Sequence, residues 1–109
     1  PVAVSAARSN VRRNRLARVI SIYEGSIDSS LSERQTPFDL VLANVTARVN
    51  TELARPMSNL LRPGGLLVAS GILADSASSV RDAFAAVGLE VFEERPDGDW
   101  VALIARRGP

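Results

Sequence analysis

The chain has no histidine, no cysteine and no lysine; all thirteen of its basic side chains are arginine. Without histidine it lacks the commonest general base and metal ligand at neutral pH. Without cysteine there is no disulfide framework, no thiolate nucleophile and no Cys-ligated metal. A cytoplasmic protein needs no disulfides, so the composition fits that compartment. No apolar run approaches the roughly 20 residues that cross a bilayer as a helix. No charged–apolar–cleavage pattern opens the chain, so neither a signal peptide nor a membrane partner is expected. The thirteen basic and twelve acidic side chains give a formal charge of +1. That balance offers no electrostatic footprint for direct nucleic-acid binding.

What is present is an ordinary globular composition, 46% apolar over 109 residues, enough for one small and marginally stable core. Val4, Ala7 and Val11 share one helical face, so Val2 to Asn14 reads as a helix. Arg18 to Glu24 (RVISIYE) reads as a strand, and Gly25 to Pro37 as a connection. Phe38 to Ala43 is a short, nearly continuous apolar run of the kind buried on both faces of a parallel sheet. Val49, Leu53, Met57, Leu60 and Leu61 then follow a helical period. Pro56 breaks it and predicts a kink or two short helices, with Pro56 in the first turn of the second.

Arg62-Pro63-Gly64-Gly65 is a turn signal, and Leu66 to Ser70 is a second buried strand. Asp75 or Ser76 can cap a helix whose Ala77, Val80, Phe84 and Val87 face one way, with Gly88 at its C′ position. Leu89 to Glu94 and Asp99 to Ala105 are strands joined by Arg95-Pro96-Asp97-Gly98 as a hairpin. This alternation predicts an α/β layer fold with a mostly parallel sheet ending in an antiparallel hairpin. Residues 1–109 form a single unit with no internal repeat or domain boundary.

In open α/β sheets ligands bind outside the carboxyl ends of the strands. Three places qualify: Glu24-Gly25-Ser26, Asn44-Val45-Thr46 and Ser70-Gly71-Ile72. Asn44 stands out because a polar amide directly after a buried strand can donate and accept at the rim. It competes with a structural reading in which Asn44 caps the helix that follows. Gly25 and Gly71 suit close approach of a ligand or, more commonly, a turn. The arginine run from Arg8 to Arg18 has no interleaved aromatics and reads as a solvated helix face. Trp100 and Phe84 read as core or edge packing. Gly64-Gly65 lacks the context of a phosphate cradle, and the acids are scattered. The residues alone therefore give an α/β domain with a ligand rim near Asn44 and no acid–base or metal chemistry.

The succession FDLVLAN (38–44), LLRPGG (60–65), LLVASGIL (66–73) and DWVAL (99–103) resembles the methyltransferases of large-subunit ribosomal protein eleven. These are class I S-adenosylmethionine-dependent enzymes. The strand–helix–Arg-Pro-Gly-Gly–strand passage is common to class I methyltransferases; Ala43-Asn44-Val45, Ser70-Gly71-Ile72-Leu73 and the tryptophan of the last strand point to this family. The resemblance implies a Rossmann-like sheet and S-adenosyl-L-methionine as cofactor. It also implies methyl transfer to amines of a ribosomal protein substrate.

It places Asn44 against the methionine part of the cofactor or the target amine, and Gly25 and Ser26 near the adenine edge. Many relatives have Asp where this chain has Ser26. Val45-Thr46 departs from the Asn-Pro-Pro of the release-factor glutamine methyltransferases. The superfamily's sheet order, 3-2-1-4-5-7-6, assigns the strand at 18–24 to third place. The first two strands, with their glycine-rich loop and ribose-binding acid, are missing, which makes the chain the C-terminal part of a catalytic domain. The strand at 18–24 is then expected to be poorly anchored, or moved in beside Phe38 to Ala43, and the isolated chain to bind cofactor weakly or not at all. Two alternatives remain: a class I methyltransferase with a small-molecule or other protein substrate, and a non-catalytic α/β interaction module.

Overall fold

A computed structural model describes residues 18–23 and 37–109. The expected N-terminal helix, most of the arginine run, Gly25 and Ser26 lie outside the described residues. Two parallel strands open the fold, β1 (Val19–Tyr23) and β2 (Phe38–Asn44). Helices α1 (Ala47–Glu52) and α2 (Ala54–Leu60) lead into strand β3 (Leu61–Leu73). A 3₁₀ turn (Ala74–Ser76) precedes helix α3 (Ala77–Ala85), and strands β4 (Leu89–Asp97) and β5 (Trp100–Arg107) close the chain.

Among the described residues the sheet order is β1-β2-β3-β5-β4. The first three strands run parallel, and β5 runs antiparallel to both of its neighbours. The expected parallel sheet with a terminal hairpin is therefore observed. β1 lies directly beside β2, with Val19 opposite Leu40 and Tyr23 opposite Asn44. Of the two expectations for the strand at 18–24, the observed arrangement is the one that sets it beside Phe38 to Ala43. An unpaired edge of β2 would leave a row of backbone N–H and C=O groups to satisfy, and β1 supplies partners for them.

Alternation along the strands sends side chains to two faces. Val41, Ala43, Leu67, Ala69, Leu103 and Ala105 share one buried cluster with Met57 and Leu60 of α2 and Val80 and Phe84 of α3. Leu40, Leu42, Val68 and Ala102 form a second buried cluster on the opposite face. Burial on both faces explains why β2 and the middle of β3 are almost uninterrupted apolar runs.

Pro56 acts as expected: the helical stretch breaks at Leu53, and Pro56 sits in the first turn of α2. There its missing N–H breaks no intrahelical bond. Met57, Leu60 and Leu61 are buried as the period predicts, but Val49 and Leu53 are half-buried, and Asn50 and Ala54 take the inward positions ahead of Met57.

The Arg62-Pro63-Gly64-Gly65 turn is realised inside β3 as a bulge. Phe38 pairs with Leu61 and Leu40 with Leu66, so the β3 side carries three extra residues. Gly64 takes the left-handed φ of 81° that the turn needs. The Arg62 side chain closes the bulge with an ion pair to Asp39. Ser76 stands at the N-cap of α3 but makes no side-chain cap bond, while Gly88 is left-handed just beyond the helix, with φ 82°. The hairpin turns later than its sequence suggested. Asp97 pairs with Trp100, leaving Gly98-Asp99 as a two-residue loop.

Candidate active site

The carboxyl ends of β2 and β3 meet at one rim, because the two strands are parallel and Asn44 pairs with Ser70. Directly after this pair, β3 carries a bulge against β5: Ala69 pairs with Leu103, but Ile72 pairs with Val101. The extra residue falls at Ser70-Gly71, and Gly71 has φ 82°. A bulge with a left-handed glycine bends a strand and re-aims its side chains, a device common beside active sites.

Asn44 is exposed, and it does not cap α1. That role belongs to Thr46, whose Oγ1 accepts from the Val49 N–H at 3.3 Å. The structural alternative for Asn44 is thereby removed. Ser70 Oγ lies 3.4 Å from Asn44 Oδ1 and 3.4 Å from the Ala43 carbonyl oxygen. Its single proton serves one acceptor at a time. Asn44 Oδ1 therefore keeps acceptor capacity, and no described residue accepts from its Nδ2.

Gly71 is needed here for space as well as for φ. A Cβ at this position would stand 2.7 Å from the Val45 carbonyl oxygen and 3.0 Å from Asn44 Oδ1. Asn50, fully buried on α1, donates from Nδ2 to the Val45 carbonyl at 3.0 Å and to the Thr46 carbonyl at 3.1 Å. The sequence reading missed Asn50. Its signal was the spacing Asn50, Ala54, Met57 (i, i+4, i+7), which puts a polar side chain on the core stripe.

Of the other residues singled out from sequence, Phe84 is core and Trp100 is not: the tryptophan is 52% exposed at the start of β5, where it pairs with the exposed Leu73. Arg18 stacks over the Phe38 ring at 5.3 Å and lies at the edge of the sheet. Gly25 and Ser26 lie outside the described residues, so Asn44 is the predicted site residue whose surroundings are visible. Among the described residues no group of acidic, histidine or cysteine side chains could hold a metal ion. No helix among them is long and apolar enough to cross a membrane.

The fold is shared with class I methyltransferases. A ribosomal protein L11 methylase from Lactobacillus delbrueckii subsp. bulgaricus superposes with a TM-score of 0.65 at 24% identity, over 72% of this chain and 41% of that one. A methyltransferase from Pyrococcus furiosus superposes with a TM-score of 0.56 at 19% identity, over 94% of this chain and 56% of that one.

Sequence comparison narrows the class. The family model "Ribosomal protein L11 methyltransferase (PrmA)" matches residues 1–108. A ribosomal protein L11 methyltransferase from Chloroflexus aurantiacus is 38% identical over 98% of this chain. The chain belongs to the ribosomal protein L11 methyltransferase family. It spans between a third and two-fifths of the length of the curated relatives it matches, 39% of the Chloroflexus protein.

Proposed function

We propose that residues 1–109 are the acceptor-side part of a single catalytic domain. The complete enzyme would transfer methyl groups from S-adenosylmethionine to amines of ribosomal protein L11. Family membership supports the reaction class. The observation that carries the site is Asn44: an exposed amide at the carboxyl end of β2, released from capping by Thr46 and backed by Ser70.

The residues at this rim suit the cofactor's methionine end. A neutral amide with an uncommitted donor and spare acceptor capacity can meet both a carboxylate and an amine. When bound, S-adenosylmethionine supplies an electrophilic methyl group. A lysine amine, with an ordinary pKa of about 10.4, must be neutral to act as nucleophile. Withdrawal from water favours the neutral amine. In this reading Asn44 Oδ1 accepts a hydrogen bond from one of its N–H groups, which orients the nitrogen lone pair. Alignment of this kind carries much of a displacement's acceleration, and it requires no histidine, thiolate or metal from this chain. Gly25 and Ser26 would lie at the adenine edge.

Asn44→Ala tests the assignment in the full-length enzyme, assayed with labelled S-adenosylmethionine and ribosomal protein L11. Loss of one aligned contact should lower kcat by about tenfold to a hundredfold, with unfolding unchanged because Asn44 is exposed and caps nothing. Full activity in that variant removes Asn44 from the site.

A further inference from the structure

We infer that Asn50 is a positioning residue of this site, whose buried amide fixes the Asn44-Val45-Thr46 segment in place. The inference rests on the methyltransferase reading above. Asn50 has no exposed surface and shares the inward stripe of the α1–α2 stretch with Ala54 and Met57. Both protons of its Nδ2 go to consecutive carbonyls of the segment that follows Asn44: Val45 at 3.0 Å and Thr46 at 3.1 Å. This pairing also settles the amide's orientation, since a flipped amide would set its oxygen against two carbonyl oxygens.

Asn50 Oδ1, by contrast, is buried with no hydrogen-bond partner among the described residues. An unpaired buried acceptor is destabilising. Neighbouring positions on the stripe carry Ala54 and Met57, and an apolar side chain would avoid that penalty at Asn50 too. What an apolar side chain could not do is hold the Val45 carbonyl; the Thr46 carbonyl also accepts from the backbone N–H of Asn50 at 2.9 Å.

The Val45 carbonyl is confined from a second direction. The oxygen that accepts from Asn50 is the one that a Cβ on Gly71 would approach to 2.7 Å. The Val45 peptide therefore lies between a donor from α1 and a bare Cα from β3. Ser70 from β3 reaches Asn44 Oδ1, and the Thr46 cap ties the segment's other end to α1. Asn50 and Ser70 are the buried members of this set, and Asn50 is the one that carries an unpaired atom. A site that works by alignment loses rate when its groups shift by as little as about 1 Å. Asn50 thus exchanges some core stability for placement of Asn44.

The test uses Asn50→Leu and Asn50→Ala in the full-length enzyme, with S-adenosylmethionine and ribosomal protein L11 as substrates. The readouts are kcat, KM for each substrate, and amide hydrogen exchange of the peptide covering residues 44–50. The expected result for each folded variant is a kcat lower by about tenfold or more, with KM for S-adenosylmethionine changed by less than about twofold. Exchange should rise in the 44–50 peptide and stay unchanged in β3 and β5. Asn50→Ala leaves room without a donor, so it serves if the leucine cannot be accommodated.

Wild-type kcat in either variant overturns the inference. So does a loss of activity with faster exchange throughout the chain in both, which is the signature of a merely structural residue. If the unaltered enzyme transfers no methyl group, the methyltransferase reading fails and takes the inference with it. An active parent with equally active variants defeats the inference alone.

Discussion

Gly71→Ala and Gly88→Ala form a matched pair that measures how rigidly the rim is held. Both glycines have φ 82°, so each alanine takes on the same left-handed penalty of about 1–2 kcal/mol. Their surroundings differ. A Cβ at Gly88 meets nothing within 4 Å, whereas one at Gly71 comes within 2.7 Å of the Val45 carbonyl oxygen, 3.0 Å of Asn44 Oδ1 and 3.3 Å of the Val45 carbonyl carbon. Two of those three atoms belong to backbone that Asn50 holds from the other side, so relief requires moving a peptide and not merely rotating a side chain. Forced overpacking of this kind typically costs about 1–3 kcal/mol. The expected totals are about 1–2 kcal/mol for Gly88→Ala and about 2–5 kcal/mol for Gly71→Ala. In urea, with m of about 1–3 kcal/mol per molar, the difference should lower the Gly71→Ala midpoint by about 1 M relative to Gly88→Ala. Equal midpoints at equal m would refute the reasoning. They would show that the Val45 peptide yields freely and that the rim is not a fixed frame.

Phe84→Ala removes a fully buried ring from the cluster between α3 and the sheet and should destabilise by about 3–5 kcal/mol, read as a lower denaturation midpoint; a change below about 1 kcal/mol would mean that α3 does not pack as described. Ile20→Cys and Val41→Cys occupy partner positions in the β1–β2 pairing. Adjacent strands lie about 4.8 Å apart, within reach of a disulfide, and the chain has no other cysteine. Mild oxidation should therefore link the two in the 109-residue chain. The link should fail in a longer chain that carries the two strands which the family resemblance places between β1 and β2; equal cross-linking in both would show that this pairing is the family's own.

Much of the sheet was legible because its signals are local. The apolar runs at Phe38–Ala43 and Leu66–Ser70 carry two-face burial in six and five residues, and Pro56 announces its own helix break. The Arg-Pro-Gly-Gly turn and the terminal hairpin were also visible, but their registers were not. Three extra residues at Arg62–Gly65 are absorbed as a bulge closed by Arg62 and Asp39, an ion pair between residues 23 apart that no local pattern reveals. Trp100 illustrates the same limit. A large aromatic residue in a terminal strand reads as packing, yet its burial depends on what crosses the sheet at that point, and there it pairs with an exposed Leu73.

The rim itself was half legible, for a physical reason. Asn44 could be found from the strand that precedes it, but its freedom to act depends on whether another side chain caps α1. The sequence reading offered Asn44 alone for that cap, although Thr46 stands two residues on. The observed bond from Val49 N–H to Thr46 Oγ1 decides between them. Asn50 escaped notice because the helical period was read through Val49 and Leu53, one position off the buried stripe. With the stripe set at Asn50, Ala54 and Met57, the asparagine becomes the anomaly in an apolar row. A polar residue on a core stripe is destabilising unless it is bonded, and here the bonds run to the two carbonyls next to Asn44. Two asparagines six residues apart thus take complementary parts, one exposed and uncommitted, the other buried and engaged. The stability given up at the second is the physical reason to expect that the position of the first matters.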